Sequence, residues 1–210
     1  MELPVYMITG FLESGKTSFI LDTISDKQFS KGQRTLIIAC EEGEVEYAPD
    51  ILKAAKAEVE FIEDEEEFNP EHLSELVKKH RPTQIMLEYN GMWSLRTMAQ
   101  KAPKDWIFYQ IFMFVDHSKY QVYMNNMRQL LSDNFSIADI VVFNRCEKNK
   151  VDKKTLRRSI KALNPKIDMM FEYTDGSIEQ GFQGDDEMPY DLNADPVSYT
   201  HLTLTTSELV

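Results

Sequence analysis

The stretch Gly10-Phe11-Leu12-Glu13-Ser14-Gly15-Lys16-Thr17 fits the pattern G-x-x-x-x-G-K-[ST] at every fixed position. Each fixed residue has a physical reason. Gly10 and Gly15 admit backbone angles that side chains disfavour, which lets successive amides turn inward onto phosphate oxygens. Lys16 brings an ammonium to the β- and γ-phosphates. The Thr17 hydroxyl is a ligand for magnesium, an ion that keeps most of its octahedral shell as water and phosphate. Glu13, Ser14 and Ser18 complete the loop expected to touch the anion. A helix opening at Lys16 would aim its positive dipole end at the same charge.

Working outward, the flanks supply the context that this loop needs. Residues 4–9 (PVYMIT) read as a strand and residues 16–24 as a helix burying Phe19, Ile20 and Ile24. Further strands are predicted at 35–39, 59–62, 85–88, 140–143 and 167–171, with the long apolar run 106–115 (WIFYQIFMFV) as a central one. Helical spacing falls at 51–57, 71–80, 93–102, 120–131 and 153–163, and Arg81-Pro82 stops the second of these. The repeated βαβ order predicts an α/β fold of P-loop NTPase type, a mostly parallel sheet flanked by helices in three Rossmann-like layers. Residues 1–175 form the nucleotide domain, 176–195 an acidic irregular tail, and 196–210 (PVSYTHLTLTTSELV) a non-native or disordered extension. The alternation in THLTLT leaves a genuine edge strand as the other reading.

Ligands in such sheets sit outside the carboxyl ends of the strands. Three strand ends therefore join the loop as candidates. Glu88 closes IMLE ahead of Tyr89-Asn90-Gly91, where a carboxylate can hold magnesium and Gly91 lets the chain pass close to the γ-phosphate. Asp116 closes the long apolar strand, and Asn144 closes VVFN. For Glu88 the competing reading is a solvated strand-end glutamate.

Composition narrows the partners. The formal net charge is −12, from 35 acidic against 23 basic residues. That surface repels phosphate backbones, so nucleic acid is not expected as a partner. No apolar run approaches the roughly 20 residues needed to span a bilayer, and the N-terminus carries no basic leader, so a cytoplasmic location without membrane contact is expected. Cys40 and Cys146 stand far apart and read as reduced thiols.

Taken together these segments resemble the CobW-like GTPases, the group that includes UreG and HypB, from about residue 5 to residue 166. GFLESGKTS at 10–18 is similar to that family's GFLGAGKTT, and its E-x-x-G falls on Glu88 to Gly91. Val115-Asp116, with Tyr120 and Tyr123 following, is similar to its VVDA strand end, and Leu163-Asn164-Pro165 to its LNP. Its ADxIVxNKxD resembles 138–147, where Asn144, Arg145 and Glu147 would read guanine, Arg145 by stacking on the base. Cys40-Glu41-Glu42-Gly43-Glu44 resembles its NEFGE stretch, which makes Glu41 a candidate for organising magnesium or the attacking water.

The resemblance implies GTP or GDP with Mg2+, slow magnesium-dependent hydrolysis, a nucleotide switch, and a client protein. Lys16, Glu41 and Glu88 would be the catalytic residues, and Thr17, Glu88 and Glu41 the metal ligands. The family's C-x-C-C cluster is missing, since 59–73 reads VEFIEDEEEFNPEHL, so metal insertion rests on the family alone. The acids at 63–67 read as a solvated loop. Two further readings stay open: a nucleotide-gated module that does not hydrolyse, and a small-molecule kinase, for which Arg157-Arg158 is the adjacent arginine pair. The family's downstream domain is not expected in this chain.

Overall fold

Strand side chains alternate between two faces, and here both faces are apolar, which forces helices onto each side of one sheet. The computed structural model describes residues 2–181. Its strands are β1 (Leu3–Gly10), β2 (Thr35–Ala39), β3 (Ala57–Phe61), β4 (Gln84–Asn90), β5 (Trp106–Asp116), β6 (Ile140–Cys146), β7 (Asp168–Tyr173) and β8 (Ile178–Gly181). They form a single sheet in the order β3-β2-β4-β1-β5-β6-β7-β8. Every pairing is parallel except that of β7 with β8.

Adjacent residues enter different cores. Met7, Ile38, Leu87, Val115 and Phe143 face one, while Ile8, Ile37, Met86, Phe114 and Val142 face the other. The second core is closed by α1 (Lys16–Ser25) and α3 (Pro49–Ala55) through Ile20, Leu21, Ile24 and Ala55. Between them α2 (Lys27–Ser30) adds one short turn, capped by the Asp26 side chain. The first core is covered by α4 (Pro70–His80), α5 (Leu95–Lys101), α6 (Tyr120–Asn126), α7 (Arg128–Ile137) and α8 (Lys153–Lys161), with Leu73, Met98, Phe135 and Ile160 buried in it. The result is the three-layer P-loop NTPase architecture.

Three details depart from the sequence expectation. The helix expected over 120–131 is two helices, broken at Met127 (φ −135°, ψ 33°). There the Asn126 side chain donates to the Val122 carbonyl at 2.8 Å and so competes with the helical ladder. The helix expected to reach residue 57 ends at Ala55, because Lys56 turns left-handed (φ 53°) and releases Ala57 into β3. Finally, the expected irregular tail begins as a hairpin. Tyr173 donates its amide to the Ser177 carbonyl, and Gly176 (φ 79°) allows the reversal that starts β8. The remainder of 176–195, and all of 196–210, lie outside the described residues. Among the described residues no helix is long and apolar enough to cross a membrane.

Candidate phosphate-binding site

Strand register brings the carboxyl ends of β2, β4, β1, β5 and β6 to one edge of the sheet. Gly10 stands opposite Asn90 and Phe114, Ala39 opposite Glu88, and Asp116 opposite Asn144. The order places β1 between β4 and β5, so the loop after it lies at the middle of that edge. This is where an open parallel sheet leaves a crevice.

The loop from Gly10 to Thr17 is built on glycine for steric reasons that can be stated in ångströms. Gly10 (φ 144°) and Gly15 (φ 96°) hold angles unfavourable to side chains. A Cβ on Gly10 would lie 2.4 Å from the Phe114 carbonyl oxygen, and one on Gly15 2.6 Å from Asn144 Nδ2. Gly91 is packed against the loop from the other side, since a Cβ there would meet the Gly10 carbonyl carbon and oxygen at 2.5 Å. Glu13 adopts the left-handed conformation (φ 60°) in the turn between the glycines. Such strain in a non-glycine residue is characteristic of ligand-clamping loops.

Lys16 is 2% exposed. Its Nζ donates to the Gly10 and Phe11 carbonyls at 3.0 Å each and pairs with the Glu41 carboxylate. Thr17 Oγ1 donates to Glu88 Oε1 at 2.8 Å, and the Tyr47 hydroxyl donates to Glu88 Oε2. Burial raises the Glu88 carboxyl above its ordinary pKa, against the opposing pull of the Tyr47 and Thr17 hydrogen bonds and the Lys16 charge. Burial, then the Glu88 charge, likewise raises the Tyr47 phenol.

Across the cleft, burial works to raise the Asp116 carboxyl, but hydrogen bonds from Ser118 and Arg145 prevail and hold it below its ordinary value. Arg145 Nη1 donates to Asp116 Oδ2 at 2.7 Å and to the Glu13 carbonyl at 2.8 Å.

The cleft is lined by Glu13, Ser14, Gly15, Lys16, Thr17, Ser18, Glu41, Glu88 and Arg145, together with Gly43, Glu44 and Val45. Most residues singled out from the sequence therefore meet there. Gly10 lies beneath, bonded through its carbonyl to Lys16. Asn144 buttresses the loop by donating to the Ser14 carbonyl. The Arg145 guanidinium is committed to Asp116 and the loop carbonyl, so in this structure it lines the phosphate cleft and is not splayed toward a base. Glu147 is exposed, pairs with Lys150 and lies outside the cleft lining. Arg157 and Arg158 are on α8 and also do not line it. Val45, in the lining, and Tyr47, bonded to Glu88, are the additions that the sequence did not reveal, while Gly43 and Glu44 belong to the NEFGE-like stretch.

The donors fit a magnesium–phosphate group. Thr17 and Glu88 offer hard oxygens side by side. Ser14 Oγ and Asn144 Oδ1 are buried with no hydrogen-bond partner among the described residues, an arrangement that asks for a polar ligand. A thiolate site is a different matter. Cys40 and Cys146 are both buried, with the Cys146 thiol pushed up to about 12 chiefly by burial. Among the described residues no group of three or more His, Cys, Asp or Glu is arranged to hold a metal ion.

Residues 4–171, from β1 into β7, match the model of the CobW/HypB/UreG nucleotide-binding domain. The chain belongs to the CobW/HypB/UreG family. The matched span contains every residue that lines the cleft. No relative of curated function matches the chain. Among solved structures, the hydrogenase maturation factor HypB from Archaeoglobus fulgidus shares 16% identity at a TM-score of 0.56, over 83% of this chain and 82% of its own. The signal recognition particle 54 kDa protein from Aeropyrum pernix K1, solved with GDP, gives 13% and 0.52, over 86% of this chain and 44% of its own. FlhF complexed with GMPPNP and Mg2+ gives 14% and 0.51, over 86% and 71%. These likenesses establish a shared fold for the CobW/HypB/UreG chain.

Proposed function

We propose that the chain binds GTP with Mg2+ in this cleft, hydrolyses it slowly, and uses the bound nucleotide as a switch toward a client protein. One observation carries the reading: a buried lysine, a threonine hydroxyl and a buried carboxylate converge on a glycine-built loop at one sheet edge. Family membership favours guanine, as do two neighbours of the same fold that were solved with GDP and with GMPPNP.

In this reading Lys16 and the loop amides neutralise the β- and γ-phosphates, with the N-terminus of α1 behind them. Thr17 and Glu88 hold the magnesium, whose contribution when bound is to offset the charge that develops on the transferred phosphoryl group. Glu41, once its pairing with Lys16 is released, would be a further carboxylate for the metal. Asn144 and Glu147 are the residues that would read the base, and Arg145 steadies the turn at Glu13. Catalysis of this kind is mainly positioning and electrostatics. Reduced thiols and the lack of a membrane-crossing helix among the described residues accord with a cytoplasmic setting.

Single-turnover hydrolysis with excess protein over GTP tests this. The wild-type chain should release phosphate in a Mg2+-dependent step, and the Lys16→Ala protein should not. Equal rates would remove the hydrolytic part and leave a nucleotide-gated binding module.

A further inference from the structure

The amino ends of β2 and β3 border a second hollow, at the sheet edge opposite the phosphate cleft. Thr35 and Ala57 pair side by side in its wall, and Pro82 joins them just after the end of α4. The hollow measures about 360 Å³, within the range of small-molecule sites. Its floor is apolar: Leu36 and Ala57 are buried there, and Leu52 comes from α3. Its rim is cationic, although the chain's formal net charge is −12: Arg34, Lys53 and Lys56 all line it. Among the described residues Glu58 is the one carboxylate of the lining, and it is engaged by His80, whose other ring nitrogen pairs with Glu60 at 2.5 Å.

The three cations are unspent or already aimed. Among the described residues the Lys53 and Lys56 ammoniums have no hydrogen bond or ion pair. Arg34 is exposed yet pinned. Its amide donates to Thr83 Oγ1 at 2.9 Å, and its carbonyl accepts the Thr83 amide at 2.8 Å. Its Nε and Nη2 donate to the Arg81 carbonyl at 3.0 and 2.8 Å, which leaves Nη1 for another acceptor. A guanidinium fixed in advance loses little further freedom when it binds an anion. Lys53 and Lys56 stand at the C-terminal end of α3, where cations offset the helix dipole. That accounts for their sign but not for the apolar-floored hollow that they share with Arg34. We infer that this hollow binds a small organic phosphate monoester, its phosphate against Arg34, Lys53 and Lys56 and its apolar body on Leu36, Leu52 and Ala57. Three cations match a dianion better than the single charge of a carboxylate, and a guanidinium fork beside two ammoniums suits phosphate oxygens. The site does not rest on the nucleotide reading, since its lining shares no residue with that of the phosphate cleft.

The probe is phenyl phosphate, titrated into the full isotope-labelled chain while amide resonances are followed. The amides of Leu36, Lys56 and Ala57 should shift saturably. Phenol, which lacks the anion, and inorganic phosphate, which lacks the apolar body, should each bind roughly tenfold more weakly. Replacing both lysines, Lys53→Gln with Lys56→Gln, should raise the Kd read at these amides by roughly tenfold, the scale of two exposed ion contacts. Both side chains are exposed and hold no partner among the described residues, so this variant should melt as the wild type does. Lys16→Ala should leave the same Kd unchanged. No saturable shift at the three amides, or a Kd indifferent to the lysine pair, would overturn the site. A Kd that follows Lys16 instead would put the probe in the phosphate cleft and overturn it equally. Inorganic phosphate bound as tightly as phenyl phosphate would overturn the assignment to an organic ester.

Discussion

Replacing Lys16 with alanine should weaken binding of GTP·Mg2+ by roughly a hundredfold, since a hydrogen-bonded contact to a charged group contributes up to about 3 kcal/mol and each 1.4 kcal/mol is tenfold. The reason is geometric as much as electrostatic. The ammonium is buried, and the two carbonyls that hold it belong to the loop itself, so it is already aimed when the ligand arrives. Folding should suffer as well, by about 3 kcal/mol, because the Glu41 side chain left behind is only 10% exposed and loses its ion-pair partner. Calorimetric titration gives the affinity and thermal melting the stability. A Kd within threefold of wild type would show that Lys16 does not face the phosphates.

The second large effect is expected at Glu88, and it has opposite signs for stability and binding. Burial disfavours the charged carboxylate, so the folded chain holds this proton more firmly than the unfolded chain does. The contribution of Glu88 to stability is thus fully present below its ordinary pKa of 4.5 and is lost as pH rises through the higher folded value. Glutamine removes the charge, keeps an acceptor for Thr17 and turns its amide toward the Tyr47 hydroxyl, which can accept. Glu88→Gln should therefore raise stability by about 1 kcal/mol at pH 8, with the gain vanishing near pH 4. The same change should cut the Mg2+ enhancement of nucleotide binding by roughly tenfold or more. Denaturant midpoints at the two pH values check the first outcome. Titrations with and without Mg2+ check the second, and an unaltered Mg2+ dependence would take Glu88 out of the metal site.

Much of this was legible before any coordinates, and the reason differs from element to element. The phosphate loop is local: its glycines, lysine and threonine act through backbone angles and a short reach, so eight consecutive residues carry the signal. The sheet edge was legible because apolar strands end in polar residues, which put Glu88, Asp116 and Asn144 on one side of the molecule. Tyr47 was not legible. Its meeting with Glu88 spans 41 residues and depends on how an irregular acidic loop is laid over the sheet, which no periodicity encodes.

Arg145 shows a subtler limit. Its place in the family pattern suggests stacking on the base, yet Asp116 one strand away offers a carboxylate at 2.7 Å and draws the guanidinium to the loop. The break at Met127 was hidden because the apolar spacing runs through it, and the backward bond of the Asn126 side chain beside it leaves no mark in that spacing. For β8, a signal was present in Asp175-Gly176, a pair suited to reversing a chain, but the acidic and glycine-rich stretch around it reads as irregular.

Every role proposed for the cleft depends on the loop from Gly10 to Thr17 surrounding the phosphates of a guanine nucleotide. Calorimetric titration of the wild-type chain with GTP, GDP and ATP, each with and without Mg2+, tests it most directly. GTP should bind at least tenfold more tightly than ATP, and Mg2+ should strengthen binding. Equal affinity for the two bases would contradict the guanine assignment, and no measurable heat with any of the three would contradict the site itself.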